Sequence, residues 1–299
     1  MLQGITGGVI GPAVVAITLG LVGHAKLAER LGQNQRFAAA GGVAVTLSMA
    51  LVAYSGAPWA MFVPVVLALP VLVALKQIRG EEIDFGRASG AEHAPADRPQ
   101  RARRDAALLR NYRLLIFATC MVLFQVANAS MLPLVNGMLA HEGKRQAAPV
   151  VAALIIVPQV IVAVLAPWVG QRAEQRGRKP LLLVGFAALT IRAILFALTA
   201  DPLILIVIQV LDGLTGAVIG VMTALVIADV TQGTGRFNLA QGVFGTVMGI
   251  GAALSPTLSG LIVHRFGYSA GFLSLAAEGV VALVFLAIFL PETKEKFST

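Results

Sequence analysis

Charged side chains are scarce in this sequence. Asp, Glu, Lys and Arg make up 13% of its 299 residues, whereas a typical soluble domain carries roughly 25%. Hydrophobic residues make up 57% of the chain. The composition therefore predicts a membrane protein in which most side chains face lipid or other helices.

Cysteine and the common catalytic motifs are also lacking. The single cysteine, Cys120, lies in an apolar run, which excludes an internal disulfide and a cysteine-based metal cluster. The sequence has no His-Glu-x-x-His pair and no nucleotide-binding Gly-x-x-x-x-Gly-Lys loop. We therefore expect no metal, no cofactor and no enzymatic activity, and any transport must be driven by gradients rather than by ATP. The four histidines lie in loops or near helix ends: His24, His93, His141 and His264.

Long apolar runs are abundant. A membrane-spanning helix needs roughly 20 mostly apolar residues, and nine runs approach or exceed that length. Their polarity does not alternate as it would in the strands of a membrane barrel, so they predict an all-α, polytopic membrane helix bundle. The nine predicted spans are Leu2–Gly23, Phe37–Ser55, Trp59–Leu75, Leu114–Leu139, Pro149–Gly170, Leu181–Ala200, Pro202–Ala228, Leu239–Val263 and Ala270–Leu290.

Lysine and arginine are unevenly distributed between the loops. If successive loops alternate between the sides of the membrane, 19 of the 23 basic residues lie on one side and three on the other, with Arg192 inside a span. Basic loops favour the cytoplasm, which predicts a multi-pass protein of the bacterial inner membrane with a cytoplasmic C-terminus and an external Met1. This distribution explains the net charge of +8 without nucleic acid as a partner.

This topology can be tested by labelling single cysteines in intact cells. In a chain without Cys120, we expect Glu142→Cys to react with an impermeant maleimide, because its loop is predicted to be external. Pro95→Cys lies in a predicted cytoplasmic segment and should react only after the cells are permeabilised. Labelling of position 95 in intact cells would contradict the assignment.

One long polar segment divides the chain. The stretch Lys76–Arg113 contains nine basic and six acidic residues and is typical of a cytoplasmic linker. It separates three spans in residues 1–75 from six spans in residues 114–299. We interpret these two groups as two helix bundles, one of three spans and one of six, joined by the linker.

An internal repeat relates the two groups. Seven of ten residues match between Leu2–Gly11 and Leu211–Gly220, which open the first span of one group and the fourth span of the other. The spacing of later matches predicts a longer loop around His24–Gln35. If the groups are true repeats, three spans precede Met1 in a twelve-span protein, so we expect this chain to be truncated before the fourth helix and inactive in transport on its own.

A loop between two spans carries the most specific motif. Gly170-Gln-Arg-Ala-Glu-Gln-Arg-Gly-Arg-Lys179 resembles the loop signature of the major facilitator superfamily, in which a Gly precedes an Ala-acid-Arg group and Gly-Arg-Lys. It departs from that signature at Arg172, Glu174 and Gln175. Two six-helix halves joined by a basic linker resemble the same family. Two shorter pieces also resemble its motifs: Gln3-Gly4 on the predicted fourth helix, and Gly249-x-Gly251 with Pro256 and Gly260.

The resemblance implies a secondary transporter that works by alternating access. Small-molecule efflux in exchange for protons is the leading interpretation, and uptake of metabolites or sugars is the alternative within the family. A non-transporting membrane scaffold or an inactive fragment is the alternative from another class. The implied partners are a small-molecule substrate, protons and the lipid bilayer, and the protein is expected to be monomeric.

The loop motif also suggests a chemical role. Gly177 permits a tight turn, and Arg178 and Lys179 can donate to helix carbonyls and to carboxylates. Such contacts would form a gating latch on the cytoplasmic side, whereas a solvated basic turn is the simpler alternative. The residues assigned to the gating loop are Gly170, Glu174, Gly177, Arg178, Lys179, Asp229 and Arg236.

Several polar residues lie inside predicted spans, where ionisable groups are costly and are usually functional or paired. Asp212 either carries a coupling proton or pairs with Arg192. Glu278 either takes part in transport or is solvated near the outer interface. The residues assigned to the substrate and proton pathway are Gln125, Asn128, Arg192, Asp212 and Glu278.

Glycines at four-residue spacing predict close approach between helices. Such pairs occur on four predicted helical faces: Gly4/Gly8, Gly7/Gly11, Gly216/Gly220 and Gly245/Gly249.

Overall fold

A computed structural model describes residues 2–55, 79–90, 111–141 and 148–293, with isolated positions between 62 and 77. All regular elements in these ranges are helical. Ten α-helices occur there: α1 Leu2–Val22, α2 Leu27–Ser55, α3 Phe85–Ala88, α4 Tyr112–Asn128, α5 Met131–His141, α6 Ala148–Arg176, α7 Lys179–Leu198, α8 Pro202–Thr231, α9 Phe237–Phe266 and α10 Tyr268–Phe289.

The prediction of a helical membrane bundle is confirmed, but the count of nine spans is not. Seven helical stretches in the described ranges are long and apolar enough to cross a membrane, counting α4 and α5 as one, while the described apolar part of α1 is shorter, Ile10–Val22. The predicted span Trp59–Leu75 lies almost wholly outside the described residues. The predicted long loop at His24–Gln35 is wrong, because α2 already begins at Leu27.

Local sequence explains where several helices begin and break. Asp201 caps α8: its Oδ1 accepts hydrogen bonds from the backbone of Leu203 and Ile204, and Pro202 has the fixed backbone angle that suits a first helical position. Between α4 and α5 the helix breaks at residues 129–130. Pro133 has no N–H to donate to the carbonyl of Ala129, so the helical ladder is interrupted there.

The core lies mainly among α4 to α10. Helix α8 packs against α6 and α7, α10 packs against α7 and α4, and α9 packs against α4. Buried phenylalanine rings pair across these helices, with centroids 5.2 Å apart for Phe124–Phe186 and 5.5 Å for Phe196–Phe272. Many apolar side chains on the outer surface are exposed, as expected for helices that lipid surrounds.

Helices α2 and α6 cross with almost no side chain between them. A Cβ added to Gly32 would lie 2.5 Å from the carbonyl oxygen of Ala166, and one added to Gly170 would collide with the carbonyl oxygen of Ala28. We call this contact the glycine crossing. The glycine crossing lies at the end of the bundle where α2 begins and α6 ends. The loop of Arg178 and Lys179 is at the same end, and we therefore call this end of the bundle the basic face.

Residues 80–90, here called the strap, bridge α1 and the turn between α8 and α9. Asp84 donates its backbone N–H to the carbonyl oxygen of Gly20 at 3.3 Å. On the other side, the N–H of Phe237 donates to the carbonyl of Ser89 at 3.2 Å, and the N–H of Gly235 donates to the carbonyl of Gly90 at 3.1 Å. The strap therefore contacts elements of both predicted transporter halves at the basic face.

Candidate functional site

A charged cluster lies deep in the bundle where α4 gives way to α5. Arg192 of α7 forms an ion pair with Asp212 of α8. The same guanidinium donates from Nη2 to Asn128 Oδ1 at 2.5 Å and directs Nε and Nη2 at the sulfur of Met131, at 3.1 and 3.0 Å. Of the two alternatives for Asp212, the structure thus shows the pairing with Arg192.

The helix break explains how this cluster is built. The α4 helix ends at Asn128 and α5 begins at Met131, so two of the three side chains that contact Arg192 flank the interruption. The turn is held by Ser130, whose hydroxyl lies 2.7 Å from that of Ser255 on α9. A buried arginine is costly unless its charge is compensated, and Asp212 supplies that compensation.

The two charged partners differ in accessibility. The side chain of Arg192 is 3% exposed, whereas that of Asp212 is 31% exposed. Asp212 is therefore the member of the pair that an approaching ligand or water can reach. Its carboxylate offers acceptor positions beyond those that Arg192 uses.

The other two predicted pathway residues lie outside this hydrogen-bonded cluster. The Cβ of Gln125 is on the side of α4 facing α9, 3.1 Å from where a Cβ of Gly251 would be. Glu278 of α10 has a buried Oε2 with no hydrogen-bond partner among the described residues. The structure thus brings Asn128, Arg192 and Asp212 together. Gln125 and Glu278 take no part in the hydrogen bonds of these three residues.

A second cluster surrounds Arg178 at the basic face. The side chain is 6% exposed and donates from Nε to Asp229 Oδ2 at 3.0 Å. Its Nη1 donates to the carbonyl of Ala173 at 2.6 Å, and its Nη2 lies 3.3 Å from Glu174 Oε1. The cluster therefore ties the end of α6 to the end of α8 through one cation.

The backbone places Arg178 in this position. Gly177 has φ of +87°, a conformation that favours glycine, and it reverses the chain between α6 and α7. Lys179 begins α7 and donates from Nζ to the carbonyl of Ala287 at 2.8 Å, near the end of α10. Gly170 does not belong to this loop as predicted, because it lies inside α6 at the glycine crossing.

Sequence reasoning missed Glu292, which completes the cluster. Its two carboxylate oxygens accept hydrogen bonds from the backbone N–H groups of Arg178 and Lys179, at 2.8 and 3.1 Å. An acidic residue directly after the last apolar run was the available signal. Among the predicted partners, Glu174 and Asp229 contact Arg178, whereas Arg236 lies just before α9 and donates its backbone N–H to Thr234 Oγ1.

Comparison with known proteins places these features in a family. The model of the Major Facilitator Superfamily matches residues 1–191 and 147–299. An uncharacterized MFS-type transporter of Mycobacterium tuberculosis is 38% identical over 297 residues, which are 98% of this chain and 71% of that protein. The class B tetracycline resistance protein of Escherichia coli is 30% identical over 48% of this chain and 35% of its own length. The tetracenomycin C resistance and export protein of Streptomyces glaucescens is 30% identical over 42% of this chain and 23% of its own length.

Proposed function

The chain belongs to the major facilitator superfamily, and on that premise we propose that it exports apolar small molecules across the cell membrane in exchange for protons. The observation that carries this proposal is the charged cluster of Arg192, Asp212 and Asn128 at a broken helix. Helix breaks and ionisable groups at membrane depth mark substrate and ion pathways in transporters. Gln125 and Glu278 complete the proposed pathway.

Efflux is the direction we favour. Two of the similar proteins carry resistance or export in their names, and apolar drugs enter the bilayer without help. The exposed carboxylate of Asp212 would bind a hydrogen-bonding group on an otherwise apolar substrate, because Arg192 already balances its charge. A substrate with a few donors on an apolar body fits such a site.

We propose that the cluster around Arg178 is the gate on the cytoplasmic side. The contact of α2 with α6 at the glycine crossing brings the two predicted halves together at the basic face. We propose that this arrangement closes the basic face, so that a substrate leaves through the opposite face. Opening the basic face must separate α2 from α6. Such a movement would displace the end of α6. The cluster around Arg178 joins that end to the end of α8 and to Glu292, which follows α10.

Transport in lipid vesicles tests the proposal. Residues 1–299 are reconstituted beside a form extended upstream by the three spans that the internal repeat predicts, because the shorter form is expected to be inactive on its own. The expected results that follow are those of the longer form. With an imposed proton gradient, we expect labelled tetracycline or the cation ethidium to accumulate, and the accumulation to disappear when an ionophore collapses the gradient. Asp212→Asn removes the charge beside Arg192 and should lower the initial rate by about tenfold or more.

The control is Asp201→Ser, which replaces an exposed cap of α8 with another good capping residue and should transport normally. Accumulation that is unchanged by the ionophore, or by Asp212→Asn, would contradict proton-driven export through this cluster. Accumulation of a sugar but of neither drug would favour the uptake alternative.

A further inference from the structure

Glu278 is an acidic side chain in the middle of a membrane-spanning helix. It lies ten residues after Tyr268, the first residue of α10, or about 15 Å along the helix axis. Its Oε2 is buried and accepts no hydrogen bond within the described residues. An ionised carboxylate with a buried oxygen at this depth is disfavoured, because no donor in the described residues stabilises the charge on that oxygen.

Asp212 is the opposite case. Its carboxylate is in contact with the guanidinium of Arg192, which is buried and has no other acidic partner in the described part of the chain. Protonation of Asp212 would leave that arginine as an uncompensated buried charge, which is strongly unfavourable. The pair therefore resists taking up a proton, whereas Glu278 gains by doing so.

Resting on the proposed function, we propose that Glu278 is the group that binds and releases the exchanged proton, and that Asp212 remains ionised throughout. The step is the reversible protonation of one carboxylate. A proton that enters from the face opposite the basic face binds Glu278 and gives a neutral acid. When the basic face opens, the acid releases the proton there and is again a carboxylate.

Within the described residues, no ionisable group on the helices packed against α10 forms a direct ion pair with Glu278. On α7, Arg192 pairs with Asp212 and Lys179 contacts the carbonyl of Ala287 at the far end of α10. The remaining groups on the packed helices lie near helix ends or, for the cysteine, within the core: Tyr112, Arg113 and Cys120 on α4, His141 on α5, and His264 and Arg265 on α9.

Infrared difference spectroscopy of the purified protein tests the assignment without any substrate. Every chain carries Asp229→Asn, because Asp229 is another largely buried carboxylate, 17% exposed, whose protonation would give its own band. Between mildly alkaline and mildly acidic buffer, we expect a C=O stretching band of a protonated carboxylic acid to appear in the otherwise unsubstituted protein and in Asp212→Asn. The band should be missing in Glu278→Gln and should return in Glu278→Asp, which keeps a carboxyl group. Its persistence in Glu278→Gln, its absence from the otherwise unsubstituted protein or its loss in Asp212→Asn would overturn the assignment.

Vesicle transport adds a functional readout. Glu278→Gln should reduce gradient-driven tetracycline accumulation by about tenfold or more, yet exchange labelled for unlabelled tetracycline within about twofold of the normal rate. Asp201→Asn, which replaces the exposed carboxylate that caps α8 with another good capping residue, should leave both unchanged. Normal gradient-driven accumulation by Glu278→Gln would overturn the assignment. Failure of the unsubstituted protein to move any drug would contradict the proposed function, while the infrared result would still decide the proton site.

Discussion

Gly170→Leu is expected to abolish transport while leaving a folded protein in the membrane. Any Cβ at this position collides with the carbonyl oxygen of Ala28, and a backbone atom cannot yield as a flexible side chain can. Overpacking of a tight contact costs about 3 kcal/mol at the upper end of its range. Such a cost lowers the population of the state with a closed basic face roughly a hundredfold.

The reactivity of one cysteine reports the position of the gate. Thr223 lies on the same face of α8 as Asp212, 11 residues closer to the basic face. In a chain without Cys120, Thr223→Cys should be alkylated from the basic face about tenfold faster or more when Gly170→Leu is present. Gly32→Leu on the opposing helix should behave in the same way.

Gly41 offers a matched control. It lies on α2 like Gly32, but a Cβ there would have no atom within 4 Å among the residues that the structure describes. Gly41→Leu should therefore leave both transport and the alkylation rate unchanged. Equal effects at positions 32 and 41, or normal transport by Gly170→Leu, would mean that the glycine crossing does not control the gate.

Arg178→Ala should slow turnover by about tenfold or more while the apparent substrate affinity changes by less than about twofold. The substitution leaves Asp229, 17% exposed, without its cation, and removes the link from α6 to α8. Loss of one partner from a buried pair costs about 3–5 kcal/mol. For Arg178→Ala we expect the free energy of unfolding to fall by about 2–3 kcal/mol instead, because Glu174 is 35% exposed and water screens part of the cluster.

Three measurements separate gating from simple loss of stability. Arg176→Ala removes an exposed arginine two residues earlier and should be normal in all of them. Arg178→Ala should increase the alkylation of Thr223→Cys, and Arg178→Lys should restore part of the turnover. A lowered melting temperature with unchanged alkylation would indicate a structural role only, and a large loss of affinity with normal turnover would place Arg178 in substrate binding.

The pairing of buried charges was the part of the site that the sequence predicted best. Arg192 and Asp212 are both ionisable residues inside apolar runs, and the cost of isolating either one made a pair a good hypothesis. Glu174 and Asp229 were likewise identified as partners of Arg178. Glu292 was not, because it lies 114 residues from Arg178 along the chain and binds backbone N–H groups that carry no sequence signal.

The glycine pattern was right at one pair and wrong at another. At Gly216 and Gly220 an added Cβ would meet side chains of α6 and α2, so the predicted close approach is confirmed there. Four-residue spacing on one helix suggested close packing at Gly245 and Gly249, yet a Cβ at either position would contact no described atom within 4 Å. The glycine crossing instead uses one glycine from each helix, Gly32 and Gly170. Such a contact has no repeat within either helix, and depends on how two distant segments are placed. The break after Asn128 was similarly hidden, because its apolar run is continuous and a proline often only bends a helix.

The strap sets a limit on how far the basic face can open. Its anchor on α1 is at Asp84 and its anchor on the α8–α9 turn is at Ser89, five residues further on. A chain of five residues spans at most about 18 Å when fully extended and about 7.5 Å as the helix that it mostly forms here. While both anchors hold, the strap is a tether of known length, so small rocking movements can stretch it and larger ones must unwind α3 or release one end. The movement of the gate is thereby coupled to the folding of a single helical turn.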